Sequence, residues 1–488
     1  MGLRSFSILR NVFAAVVCAG LLAGTAACGA ADAKRTAAPT SHSPGAVAIF
    51  TPSDGITLSQ YTPLNKWAKL VPEITQQLED LGFSSDNIST YKDTSLDKQS
   101  QDIQDYVVNI ASGNKASSGS DADDTTLIVA PCTSTDKTVA QYGDYVTTTE
   151  TASGDDDAVA SERLSSALEL AEKSGMHVIV LSNDISGVTP DALVRMSTAS
   201  MIGQLQAKQL VNKLQLDSAS ASKPKTIEIL LPVSASSDDG GNGSTQFAKE
   251  AFSGMWKVLG PYFRSGAAVT ASDTLNAKTT GSSWSSVAFT ATGDDDIKQE
   301  LTARLKNDGS SSPAHVDGII AMNDYVASVA VDELTALGYE GSAADINPSI
   351  SIMGIVGSLS GHKDLTKSAV PAPQGADSGG NTSENDTVLS WPVITGYGAY
   401  TAMLPDIVNG KQWMTALEDR QGIAKDIAQA AKRLSTGGSL ASMSSVSNKT
   451  INGKTIPVIT GKLVAVNASN LKAKLIDPGY VTLADAGL

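Results

Sequence analysis

Val316-Asp317-Gly318-Ile319-Ile320-Ala321-Met322-Asn323-Asp324 is an apolar run without alternation that stops at two short polar residues. A strand that is apolar at every position is covered on both faces, the situation of a parallel sheet packed between helices. Asn and Asp directly after such a strand suit the start of a helix, because their side chains accept from its first free amides. The same order extends outward in both directions. Upstream, the spacing predicts strands at Ala46 to Phe50, Ile88 to Tyr91, Thr126 to Ala130, His177 to Leu181 and Leu193 to Ser197. Helices at Leu64 to Leu81, Lys98 to Ala111 and Ala158 to Lys173 alternate with them. A second series follows: helix Met201 to Leu214, strand Thr226 to Leu231, helix Gln246 to Leu259, a strand near Ala268 to Ser272, and helix Ile297 to Lys306 before the opening strand. The expected fold class is α/β, with two parallel sheets in two lobes.

Composition narrows the function classes. The chain has 488 residues, 41% of them hydrophobic, which is enough for two domains with their own cores. Its formal charge is −15, with no basic patch, which argues against nucleic acid as a partner. With four histidines and, past Cys28, a single cysteine, Cys132, neither a Cys/His metal site nor a disulfide is expected. Cys132 follows the apolar run Leu127 to Ala130 and reads as a small core hydrophobe.

The chain opens with Arg4 and Arg10, an apolar run from Val12 to Leu22, and small residues Ala26-Ala27 before Cys28. That order is the layout of an export signal. It resembles a bacterial lipoprotein lipobox, which implies a signal peptide over 1–27 and a lipid on Cys28. The location implied is extracytoplasmic, with the protein tethered to the cell membrane. Residues 28–45 are rich in Ala, Ser, Thr and Pro and read as a flexible tether.

Templates for catalysis are missing: there is no GxSxG, no Walker A loop, no HExxH and no GxGxxG between a strand and a helix. Asp238-Asp239-Gly240-Gly241-Asn242-Gly243 departs from a calcium loop, because Lys249 stands where the closing carboxylate is needed. The Asp triplets at 155–157 and 294–296 read as solvated loops or helix N-terminal acids. No enzyme activity and no cofactor are expected.

Four segments, in order, resemble the type I periplasmic-binding-protein family, in particular its xylose-binding and multiple-sugar-binding branch. They are Lys66-Trp67 through Gly82-Phe83, Met196-Ser197 through Lys213-Leu214, Val316 through Asn323-Asp324, and Trp391-Pro392-Val393-Ile394-Thr395-Gly396 through Met414-Thr415. The resemblance implies two Rossmann-like lobes joined by a multi-segment hinge, with a ligand held in the cleft at the carboxyl ends of the strands. It implies a solute-binding protein of an ABC importer whose partners are a small molecule of the carbohydrate class and a membrane permease. On this reading 46–197 plus 392–437 form the N-terminal lobe, 198–346 plus 455–476 the C-terminal lobe, and 347–391 an insertion. The candidate ligand-binding residues are Trp67, Lys66, Asn323, Asp324, Asn183 and Tyr397, with Ser182 and Asp184 behind them.

Several binding positions depart from the family pattern. Ser182-Asn183 stands for its Asp-Arg, Thr198-Ala199 for its Asp-Asn, Gly396-Tyr397-Gly398 for its Gly-Gln-Asp, and Glu418 where a Lys is expected. A cleft with fewer charged groups suits a less hydroxylated ligand, such as a nucleoside-like or modified sugar. A ligand-sensing lipoprotein that signals through a membrane partner is the alternative from another class.

Overall fold

In a computed structural model, the residues described are 45–53, 67–113, 122–132, 155–182, 184–233, 242–306, 312–344, 389–451 and 453–488. The first sheet is built from apolar runs that are buried along almost their whole length: β1 (Val47–Pro52), β3 (Thr126–Val129), β4 (His177–Leu181) and β5 (Ala192–Arg195), with the more exposed β2 (Ile88–Asp93) outside β1. The five run parallel in the order β2-β1-β3-β4-β5. Alternation sorts their side chains between two helical layers. Val47, Ile49, Ile128, Ile179 and Val194 meet α1 (Trp67–Asp80) and a later helix, Arg420–Ser435. Ala48, Phe50, Leu127, Val129 and Val180 meet α2 (Leu96–Ala111) and α3 (Asp155–Lys173). The amphipathic spacing of α1 buries Trp67, Leu70, Val71, Ile74 and Leu78, while Ser95 caps α2 by accepting from the Lys98 amide at 3.2 Å.

After β5 the chain passes Ser197 and enters α4 (Ala199–Leu214), which Thr198 caps through the Met201 amide. A second sheet follows, formed by β6 (Lys225–Val233), β7 (Ala268–Val269), β8 (Ala288–Thr290), β9 (Gly318–Ala321), β12 (Val393–Tyr397) and β13 (Met414–Glu418). Its order is β7-β6-β9-β12-β13, with β8 beside β6, and all of these pairs are parallel. Helix α4 packs on α5 (Asn242–Ser265), and α6 (Asp294–Arg304) on α7 (Asp324–Ala336), around one apolar cluster. The Asp294 to Asp296 triplet forms the first turn of α6, where acids complement the free amides. Among these helices and strands sits a buried ion pair. Arg304 lies 3.8 Å from Glu228 and 2.7 Å from Glu300, and donates to the Ile229 and Val287 carbonyls. Glu228 also accepts from the Ser272 amide and hydroxyl, each at 3.0 Å.

The strand pairing corrects the expected lobe boundaries. Residues 392–437 do not stay together: β12, α8 (Leu404–Asn409) and β13 belong with the second sheet, and only α9 (Arg420–Ser435) packs on the first. The stretch 455–476 is divided as well. Strand β15 (Lys454–Thr460) extends the first sheet beside β5 and forms a hairpin with β14 (Val446–Ile451), whereas β16 (Leu463–Asn467) pairs antiparallel with β13 in the second. The reason is register. The apolar run Val393–Tyr397 pairs in parallel with Gly318–Ala321, and Met414–Glu418 pairs in parallel with Val393–Tyr397 in turn, so both continue the second sheet. Most of 347–391, including the apolar run Ile350 to Val356, lies outside the described residues; at its end β11 (Leu389–Ser390) pairs with β10 (Tyr339–Glu340).

Candidate functional site

Three segments cross between the sheets, at 195–198, 418–420 and 460–463. Each leaves the carboxyl end of a parallel strand, namely β5, β13 and β15, so the carboxyl ends of both sheets look towards the crossings. In open α/β sheets this end is where ligands bind. The described residues there are Thr51-Pro52-Ser53, Asp93, Ala130-Pro131-Cys132 and Leu181-Ser182 on the first sheet. Val233, Met322-Asn323-Asp324 and Tyr397-Gly398 occupy the same end of the second. Two non-glycine residues with left-handed backbone stand at strand ends in this zone, Ser182 at φ 69° after β4 and Ala399 at φ 50° after β12. Backbone strain of this kind collects at functional positions.

The expected binding residues fall into three groups. Lys66 and Asn183, together with the lipidation candidate Cys28, lie outside the described residues. Trp67 opens α1, but its ring is only 2% exposed and belongs to the apolar cluster beneath the first sheet. Asn323, Asp324 and Tyr397 come together at the ends of the neighbouring strands β9 and β12 and are all buried. On the first sheet, Asp184, after β4, pairs with Arg195 at the end of β5 at 3.0 Å.

The polar groups of Asn323 and Asp324 are engaged within the protein. The Asn323 side chain caps α7, accepting from the Val326 amide at 2.8 Å. Asp324 accepts from Gln412 Nε2 at 2.6 Å, from Thr415 Oγ1 at 2.7 Å and from the Tyr400 amide at 3.1 Å. Burial pushes its carboxyl up to about 6 against these bonds, which pull it down. This knot explains why glycine stands at 396: a Cβ there would lie 2.3 Å from Asp324 Oδ1 and 2.5 Å from Gln412 Nε2. The Trp-Pro-Val-Ile-Thr-Gly segment therefore ends in glycine to admit the carboxylate.

Sequence reasoning missed two arrangements at this end of the sheets. Gln99, buried in α2, donates to the Ala130 carbonyl and accepts from the Cys132 amide, both at 2.8 Å, which fixes the segment after β3. Burial pushes the Cys132 thiol up to about 12, so it is an unreactive thiol. The second arrangement is Glu418, whose carboxylate accepts from the Ser197 amide at 2.8 Å and the Ser197 hydroxyl at 2.9 Å and so ties the first crossing to the second. The signal for it was an acid closing the apolar run Met414-Thr415-Ala416-Leu417. The third crossing joins through the Gly461 amide on the Arg195 carbonyl at 2.7 Å and the Asp419 amide on the Lys462 carbonyl at 2.8 Å. Beside the crossings, Arg420 bonds Glu73 of α1 and stacks on Tyr480, whose hydroxyl accepts from the Gln421 amide.

A surface cavity of about 500 Å³ lies along α6 and α7, lined by Lys298, Thr302, Lys306, Pro313, Glu333 and Leu337. The far ends of both helices lie at the amino end of β9, so it is distinct from the zone between the sheets. Among the described residues no helix is long and apolar enough to cross a membrane, and no group of three or more His, Cys, Asp or Glu could hold a metal.

Two mainly parallel sheets joined by three crossings define the fold of the type I periplasmic binding proteins. The chain is similar to that family's sugar-binding members. It is 24% identical over 328 residues to the multiple sugar-binding periplasmic protein of Azospirillum brasilense, covering 67% of this chain and 73% of that protein. Among solved structures, an ABC transporter solute binding protein from Clostridium phytofermentans with bound β-D-glucose matches with TM-score 0.50 and 18% identity, over 90% of this chain and 99% of that one. A carbohydrate transporter solute binding protein from Chloroflexus aurantiacus, in complex with D-glucose, matches with TM-score 0.49 and 20% identity, over 90% and 98%. No family model matches the chain. These relatives are binding proteins, not enzymes.

Proposed function

We propose that this chain is the solute-binding protein of an ABC importer, taking a sugar or sugar-like small molecule between its two lobes and closing on it. The supporting observation is the set of three crossings, tied side by side at the carboxyl ends of both sheets. Closing two lobes on a ligand strips water from it and makes each contact depend on both lobes. Occupancy is thereby converted into a shape that a permease can read. The protein performs no chemistry on its cargo. A lipid on Cys28 and the segment 28–45 keep it beside the membrane on the extracytoplasmic side, at high effective concentration for its permease.

The contacts used up by Asn323 and Asp324 bear on ligand class. Both belong to the second sheet's wall, and their polar atoms hold α7, Thr415 and Gln412 in place. A cleft whose buried acids are already engaged favours a ligand read by hydroxyl, amide and backbone groups over one clamped by free carboxylates.

Thermal-shift measurements of the mature protein with monosaccharides, oligosaccharides, nucleosides and amino acids test the reading. A sugar at a hundred times its Kd is expected to stabilise the protein by about 2.7 kcal/mol, a shift of several degrees. If nucleosides shift the melting point and no sugar does, the carbohydrate assignment fails while the solute-binding reading stands; a flat response to every class overturns both. For the anchor, Cys28→Ser is expected to move the protein from the membrane fraction to the soluble one, and unchanged fractionation would count against lipidation.

A further inference from the structure

Glu418 closes β13, and its carboxyl is 2% exposed, held between the first and second crossings. Both oxygens face Ser197, one taking its amide and the other its hydroxyl. The third crossing closes over the same group, because a Cβ on Gly461 would stand 2.9 Å from Glu418 Oε2. Among the described residues no cation pairs with the carboxylate. On the first crossing Met196, Ser197 and Thr198 carry no charge, and the Arg195 guanidinium is turned to Asp184 at 3.0 Å. At the head of α9, Arg420 is engaged with Glu73 at 2.7 Å. Lys462 of the third crossing acts on Asp426, and among the described residues the charge that acts on Glu418 is the like charge of Asp419.

We propose that Glu418 is a proton-gated tie at the hinge: neutral, it clamps the first and second crossings together, and ionised, it loosens them. In the neutral form one oxygen still accepts the Ser197 amide while the acid O–H can donate to the Ser197 hydroxyl oxygen, so the tie remains complete and uncharged. The ionised form keeps two donors but places a negative charge with no counter-ion in a site closed to water, beside Asp419. Water can reach it only if the crossings separate. Burial, followed by the Asp419 charge, pushes the carboxyl up to about 8, against the bonds from Ser197 that pull it down. Because the folded value is raised, the group's contribution is complete below the ordinary carboxylate range and is lost as pH rises through about 8. Glu418 is thus a positioning residue, and where ligand binding works by lobe closure, as proposed above, affinity is linked to the same proton.

The experiment is amide hydrogen exchange on the intact mature protein from pH 6 to 9.5, corrected for intrinsic rates, in peptides spanning 195–198 and 418–420. The protonated fraction falls about tenfold between pH 7 and pH 9 for a midpoint near 8, and wild-type protection at the crossings should fall in parallel. Glu418→Gln mimics the neutral acid, with an oxygen for the amide and an NH₂ for the hydroxyl, and should keep its protection throughout. Ser197→Ala removes one donor to the carboxylate and should move the midpoint upward. Equal pH dependence in wild type and Glu418→Gln, or an unmoved midpoint in Ser197→Ala, overturns the proposal. D-glucose titrations at pH 7 and 9 separate the two readings. Failure of glucose to bind at both pH values leaves the exchange result intact and bears only on the sugar assignment, whereas binding with pH-independent crossings sinks the tie alone.

Discussion

Asp324→Ala is expected to destabilise the protein by about 3–5 kcal/mol, because it deprives several buried donors of their acceptor at once. Gln412 Nε2, Thr415 Oγ1 and the Tyr400 amide all end on this carboxylate, and all three residues are buried away from solvent. The loss is less than three full desolvation penalties because Thr415 can rotate and the vacated space admits some relaxation. Urea titration measures it as a lower midpoint with an unchanged slope. A fall of less than about 1 kcal/mol would mean that the knot around Asp324 is not formed as described. The result also determines how binding data should be read: affinity lost in Asp324→Ala is uninterpretable unless the variant is folded at the assay temperature. Asp324→Asn, which keeps the volume and one acceptor, should lose less stability and is the better reporter of ligand contact.

Arg304→Met should be comparably severe, costing about 3–5 kcal/mol, the usual consequence of removing one partner from a buried ion pair. The guanidinium is 3% exposed and fully employed, with Nε on Glu300 at 2.7 Å, one terminal nitrogen on the Val287 carbonyl at 2.7 Å, and the other on the Ile229 carbonyl near Glu228. Methionine fills much of the volume, so the measured loss reports polar groups left unpaired more than a cavity. Glu228 can take up a proton to limit the damage, helped by a carboxyl that burial already pushes up. The double variant Arg304→Met with Glu228→Gln should therefore recover part of the loss. No recovery would place the cost on the Ile229 and Val287 carbonyls instead of the carboxylate.

Much of the fold could be read in advance because its strands are buried on both faces. His177–Leu181 appears in the structure with the bounds its apolar run suggests, and β1, β3, β6 and β9 fall within a few residues of their predicted runs. Helix ends were less legible. Helix α5 continues to Ser265 through Pro261, beyond the point at Leu259 where its apolar spacing fades. Lobe membership was the main failure, and it has a physical cause: a short apolar run records that it is buried but not which sheet buries it. Only pairing across more than a hundred residues, such as Leu193 with Val458, decides that. The site was legible in part for a similar reason. Asn323 and Asp324 stood out as polar residues after a buried strand, but the same pattern describes a helix cap and a ligand contact, and the internal partners Gln412 and Thr415 are distant in sequence. Glu418 was noticed only as a departure from a family pattern, because nothing local marks the Ser197 it binds 221 residues earlier.

The order in which the strands are assembled also bears on how the chain is made. Strand β5 remains an open edge until β15 is synthesised, and β13 remains one until β16 emerges some 45 residues after it. Neither half can therefore be encoded as one contiguous gene fragment, and a ribosome carrying four-fifths of the chain holds two unfinished sheets. Pairings this distant form slowly. On the extracytoplasmic location proposed above, that delay suits a chain that crosses the membrane before its sheets close.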